Sequence, residues 1–266
     1  MTILATTGVN TIFSTRAPVF ICLLGPFRLF KEGVPVLNNS RKVEQLLGIL
    51  GLQCKQTITR SVLLEALWPG IDPDMSGPQL RGLLFKLRQV FGGVLGGATP
   101  IVRDNNSYRL NLDAGIGIDI SEFELCVFKG DQAVRSGNQA RAMHQYTAAI
   151  DLYRGDLLTA TCVEVEIERE RLRSLYMRAL DQLVRHSLCL KDSVSCLNYA
   201  YRILASDPFN EQTHRAIMQC HAQDDHKSEA LRQFQVCVQI LKKELDIEPE
   251  QETLALYGQI RLGLYS

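Results

Sequence analysis

Between residues 76 and 91 the sequence carries two arginines, one lysine, two glutamines and no acidic side chain. Wound as a helix, this stretch puts Leu80, Leu83, Leu84, Leu87 and Phe91 on one stripe at three- and four-residue spacing. The opposite arc then holds Gln79, Arg81, Gly82, Phe85, Lys86, Arg88 and Gln89. Guanidinium and ammonium groups pair with phosphate oxygens, and Arg, Lys and Gln side chains can read base edges in a major groove. A solvated surface is the ordinary account of a charged helix face, but solvated faces usually mix both signs. Phe85 on a polar arc asks for a partner, either a thymine methyl or a neighbouring hairpin. Such a hairpin is encoded nearby. Residues 101–103 and 108–110 are apolar and basic in alternation, and the polar turn Asp104-Asn105-Asn106-Ser107 joins them. Asn tolerates the positive φ that tight turns demand. Arg103, Asn105, Asn106 and Arg109 lie in or beside this turn.

The elements that must position these groups can be read upstream. Residues 19–24, 27–30 and 34–37 are short apolar runs punctuated by Gly25-Pro26 and Gly33, which predicts small strands. Asn38, Asn39 or Ser40 can cap a helix with Val43, Leu46, Leu47 and Leu50 on its inner face. A second helix begins at Thr59, carries Val62, Leu63, Ala66 and Leu67, and ends at Trp68-Pro69-Gly70. Ser76 is expected to cap the third helix, with Pro78 in its first turn. Arg41 and Arg60 stand at the first two helix starts, where phosphate contacts are favoured. Sheet, three helices and hairpin is the layout of a winged helix-turn-helix.

The charge distribution agrees with a division of labour. The chain of 266 residues is neutral, yet residues 1–112 hold 12 Lys+Arg against 6 Asp+Glu, and the remainder is equally acidic. Apolar content of 46% and charged content of 22% are those of a globular protein, and the length suits two domains. From Asp119 the pattern is almost entirely helical. Residues 163–190 read as one long helix whose run from Glu164 to Arg173 is expected to pair opposite charges four apart along a solvated surface. Ala142, Met143, Tyr146 and Ile150 superpose without gaps on Cys196, Leu197, Ala200 and Leu204, and on Ala230, Leu231, Phe234 and Val238. The last two registers lie 34 residues apart, the tetratricopeptide period. Stacked repeats of this kind offer a groove to a protein partner.

Other chemistries find no support. The eight cysteines include no C-x-x-C pair and no zinc spacing, so they are expected to be buried, reduced thiols; neither metal nor cofactor is expected. His214 and His221 form a weak ligand set. There is no phosphate-binding P-loop, no H-E-x-x-H and no G-x-S-x-G, so the chain is not expected to be an enzyme. Gly115 and Gly117 are a lone G-x-G in an expected linker. No apolar run approaches the length of a spanning helix, and Gly8, Asn10 and Thr11 interrupt any signal-like stretch. A cytoplasmic protein without membrane contact is expected.

With both halves placed, the residues resemble the Streptomyces antibiotic regulatory protein (SARP) type of transcriptional regulator. The first half carries Leu24-Gly25-Pro26-Phe27, Gly33 with Pro35-Val36, Leu67-Trp68-Pro69, Leu80-Arg81, Leu87-Arg88, Tyr108-Arg109-Leu110, and Asp119 with Phe123. The second carries Tyr153-Arg154-Gly155-Asp156-Leu157-Leu158, residues 168–173, Asp207-Pro208 with Glu211 and His214-Arg215, Met218, and Glu244-Leu245 before Pro249. The resemblance implies a mainly α fold: a flexible tail (1–17), an OmpR-like winged helix with small β-sheets (18–112), a linker (113–118) and a bacterial transcriptional activator domain of tetratricopeptide-like helices (119–266). It also implies sequence-specific binding to double-stranded promoter DNA, RNA polymerase as a partner, and a homodimer on direct repeats. Residues 79–89 would be the recognition helix, and residues 103–109 a wing entering the minor groove. The rival reading is a protein-interaction scaffold whose winged helix has no DNA to bind.

Overall fold

The computed structural model describes residues 17–37, 40–54, 56–156 and 163–265. The expected tail up to residue 16, the caps Asn38 and Asn39, Leu157, Leu158, Cys162 and the Glu164 side chain lie outside it. The fold is mainly α, with small N-terminal sheets followed by a helical domain.

The first sheet grows from the apolar runs near the start. Strand β1 (Val19–Cys22) is buried along its whole length and pairs antiparallel with β2 (Arg28–Lys31), which pairs in turn with β3 (Val34–Pro35). Gly25 turns the chain with φ of 93°, and a Cβ there would meet the backbone of Arg154 at 2.9 Å, so only glycine fits. The other edge of β1 is taken by β7 (Ile116–Ile118), in parallel. The expected linker is therefore a 3-10 turn (Leu112–Ala114) followed by a core strand. A three-residue strand with glycine at its centre has no periodicity to betray it; pairing with β1 creates it.

Three helices follow β3. Helix α1 (Arg41–Leu52) buries Val43, Leu46, Leu47 and Leu50, as its spacing predicts. A two-residue strand, β4 (Ile58–Thr59), precedes α2 (Arg60–Leu67), whose first turn is capped by the Thr59 hydroxyl and which ends at Trp68. The buried stripe of α2 is Leu63, Leu64 and Leu67, while Val62 is exposed and Ala66 half-buried. Helix α3 (Pro73–Phe91) starts four residues earlier than expected. Asp72, not Ser76, is its cap: the Asp72 carboxylate accepts from the Asp74 amide at 2.8 Å. Pro73 explains the choice, since its fixed φ suits the first helical position and its missing N–H is no loss there. Ser76 is buried inside the helix and donates to the Asp72 carbonyl, and Pro78 sits in the second turn. Strands β5 (Ile101–Asp104) and β6 (Ser107–Leu110) form the expected hairpin, and β4 extends it to three strands.

The rest is helical: α4 (Asp119–Arg135), α5 (Gln139–Leu152), α6 (Val163–Cys189), α7 (Ser193–Ser206), α8 (Glu211–Gln223), α9 (Lys227–Glu244) and α10 (Gln251–Leu262). By contact density the chain divides into two compact units, Met1–Leu125 with Asp151–Arg173, and Cys126–Ile150 with Ser174–Ser266. The division does not follow the expected boundary at residue 118.

In the first unit, Asp119 at the start of α4 is 1% exposed, and its carboxylate accepts from the amides of Leu23 (2.8 and 2.9 Å) and Leu24 (2.9 Å). In the second unit, the leading positions of the three superposed segments, Ala142, Cys196 and Ala230, are fully buried. Tyr146 lies on Gly130, where a Cβ would come within 2.6 Å of its ring, and its hydroxyl donates to Asp131 at 2.7 Å. Glu211 fastens the last helices: its carboxylate accepts from the Glu250 amide (2.9 Å) and the Thr253 hydroxyl (2.7 Å). His214 is buried between the Pro208 carbonyl (3.0 Å) and Gln233 (2.7 Å), so it braces the fold and offers no metal site. In the run up to Arg173 of α6 the ion pairs stand three residues apart and not four, because positions three apart are also neighbours on a helix: Arg169 with Glu166, Arg171 with Glu168, and Arg173 with Glu170.

Candidate nucleic-acid interface

Helix α3 anchors its inner stripe and leaves its arc in solvent. Leu80, Leu83, Leu87 and Phe91 are buried, and Leu84 is half-buried. Gln79, Arg81, Gly82, Phe85, Lys86, Arg88 and Gln89 are all exposed, Phe85 by 59%. At about 100° per residue, Gly82, Phe85 and Gln89 occupy the centre of the exposed arc. Arg81 and Arg88 stand on one border, Gln79 and Lys86 on the other. Nothing lies within 4 Å of a Cβ built on Gly82, so the middle of this face is bare backbone flanked by long polar side chains.

The hairpin is tied to this helix through Arg60. The Arg60 amide donates to the Asn106 carbonyl at 2.7 Å, and Thr59 pairs with Ser107 across β4 and β6. The Arg60 guanidinium turns the other way, onto α3, where a Cβ on Gly77 would meet its nitrogen at 2.3 Å. Arg60 is thus half-buried and spans hairpin and helix, a structural duty that its place at a helix start did not disclose. The signal for it would have been Gly77, which leaves the room.

Asn105 takes φ of 50° at the hairpin tip, as the Asn pair predicts. Asn105, Asn106 and Arg103 are exposed, and the Arg103 guanidinium donates to the Asn105 carbonyl at 3.2 Å. The pleat separates the two hairpin arginines. Arg103 pairs with Tyr108 and Arg109 with Val102, so they point to opposite faces, and Arg109 is half-buried. Arg41 is exposed at the start of α1. Arg60, the hairpin tip and the start of α3 are brought together by direct contacts.

Among the described residues no group of three or more His, Cys, Asp or Glu is placed to hold a metal ion. Cys22, Cys126, Cys196, Cys220 and Cys237 are buried and Cys54 is half-buried, whereas Cys189, at the end of α6, is exposed. Burial pushes the Cys22 thiol up to about 12, as expected of an inert side chain. No helix among the described residues is long and apolar enough to cross a membrane.

Comparison with known proteins agrees with this architecture. The profile of the bacterial transcriptional activator domain matches residues 118–261, more than half of the chain. The regulatory protein DnrI of Streptomyces peucetius is 25% identical over 86% of this chain and 87% of its own length. The regulatory protein AfsR of Streptomyces coelicolor is 24% identical over 85% of this chain but only 22% of its own length. The transcriptional regulatory protein EmbR of Mycobacterium tuberculosis is 22% identical over 90% of this chain and 62% of its own. The solved structure of EmbR in complex with a low affinity phosphopeptide superposes with a TM-score of 0.74 at 20% identity, over 93% of this chain and 66% of that one. The chain therefore belongs to the bacterial transcriptional activator domain family and is a transcriptional regulator of the SARP type.

Proposed function

We propose that the chain binds promoter DNA sequence-specifically through α3 and the β5–β6 hairpin, and that it activates transcription by engaging RNA polymerase through its helical part. The observation that carries this reading is the outer face of α3. From residue 76 to residue 91 it offers Gln79, Arg81, Lys86, Arg88 and Gln89 to solvent without a single carboxylate. The bare backbone at Gly82 gives the helix room to approach base edges closely, and Phe85 offers an apolar contact for a thymine methyl. Arg41 supplies a phosphate contact at a helix start, Arg60 holds the hairpin against α3, and Arg103, Asn105, Asn106 and Arg109 lie on the hairpin that would meet the minor groove. The acidic character of the sequence beyond residue 112 suits a protein partner better than a second length of DNA.

Selection of genomic fragments on the purified chain, followed by anisotropy titrations against the selected and a scrambled duplex, tests this. A recurring motif bound about a thousandfold more tightly than the scramble is expected. Equal and weak affinity for both duplexes would favour a protein-interaction scaffold instead.

A further inference from the structure

Two separate elements, α3 and the β5–β6 hairpin, would have to reach DNA together, and one residue is fastened to both. Where β4 runs into α2, the backbone is stitched to the hairpin. Thr59 pairs with Ser107, and the Arg60 amide donates to the Asn106 carbonyl at 2.7 Å. Asn106 adjoins the tip residue Asn105, whose φ is 50°. The Arg60 side chain leaves this seam in the other direction. Its guanidinium lies on α3 at Gly77, a buried position where any Cβ would collide with the guanidinium nitrogen. At about 100° per residue, Gly77 stands within about 40° of Arg81 and Arg88 around the helix. The guanidinium is therefore seated beside the border of the exposed face that those two arginines occupy. Backbone bonds fix Arg60 to the hairpin, and side-chain packing fixes it to the helix.

We propose that Arg60 is a positioning residue for DNA recognition: seated on Gly77, it holds the hairpin at one spacing from α3, so that the minor-groove contact of Arg103 and the major-groove contacts of α3 form together. This rests on the DNA-binding reading above and adds to it an energetic coupling between the two elements. Joining two contact elements rigidly makes the second contact intramolecular once the first has formed. Arg60→Ala leaves the backbone bond to Asn106 and the pairing of Thr59 in place, because neither uses the side chain. It removes only the brace on α3.

A double-mutant cycle on Arg60 and Arg103, read by anisotropy titration of the full chain against the selected duplex, tests the coupling. Arg103→Ala should weaken binding about tenfold in the native background. In the Arg60→Ala background the same change should cost less than about threefold. Gly77→Ala displaces the guanidinium without removing a charge. It should abolish the coupling in the same way, and it carries the test if Arg60→Ala does not keep the native circular dichroism spectrum. An Arg60 that only met a phosphate would act independently of Arg103, so losses that add to within about twofold would overturn the proposal. So would an Arg103→Ala variant that binds like the native chain. Equal and weak binding of the native chain to the selected and scrambled duplexes would instead defeat the DNA-binding reading, and this inference with it.

Discussion

Asp119 illustrates how a single side chain can hold a fold and tax it at once. Its carboxylate receives the amides of Leu23 and Leu24, but burial pushes its pKa from 3.8 up to about 6, with Arg28 and the amides opposing the shift. The native chain thus keeps a proton that the unfolded chain has already released. Stability contributed by this group falls as pH rises from about 4 to about 6 and is level above that. Urea midpoints of the native chain should show this slope and Asp119→Asn should lack it; Asp119→Ala should lose about 2–4 kcal/mol at neutral pH by orphaning two amides. The face of α3 divides its roles in the same residue-by-residue way. Arg88→Ala should weaken binding to every duplex, whereas Gln79→Ala and Lys86→Ala should alter base preference in a selection experiment. Equal losses on specific and random DNA at all three positions would refute that division. Gly82→Ala separates stability from function: with nothing within 4 Å of the new methyl, the helix should gain about 1 kcal/mol in a thermal melt while DNA affinity falls.

At the level of elements, a cap decides where α3 begins. Asp72→Ala removes the acceptor for the Asp74 amide and should cost about 1 kcal/mol in a denaturant titration, with Ser76→Ala serving as the control that leaves the cap intact. Ser76 was the expected cap, and Pro73 shifts the start to Asp72 because its fixed φ suits the first helical position. The inner stripes of α1 and α3 and the β5–β6 hairpin were legible because their periodicities are local. Strands β4 and β7 were not, since two or three residues carry no period and exist only through partners about 50 to 100 residues away. The exposed arc of the candidate interface was readable in full from the spacing of Leu80, Leu83, Leu87 and Phe91. The packing of Arg60 on Gly77 and the opposite facing of Arg103 and Arg109 were not, because each depends on how separate elements meet. In α2 the exposure of Val62 overrode its apolar character, and Leu64 took the buried place.

Across the whole molecule, polyanion binding should leave a thermodynamic signature. With about six phosphates neutralised, affinity for DNA should fall about a thousandfold between about 50 and 200 mM salt, measured by anisotropy. A smaller dependence would mean that few of the basic groups reach the backbone. The helical segments contribute differently. Gly130→Ala would drive a methyl into the Tyr146 ring and should lower the melting temperature of the second unit.

The first unit is assembled from Met1–Leu125 and a distant stretch, Asp151–Arg173. Order of synthesis then matters. A ribosome that has released the α3 face and the hairpin has not yet made the segment that completes their unit, and the strand that closes the first sheet appears only at residues 116–118. The face proposed to bind DNA therefore belongs to an incomplete unit until residue 173 has been made. A chain cut short by a premature stop before residue 151 would lack part of that unit, and under the proposed function it should bind promoter DNA more weakly than the full chain.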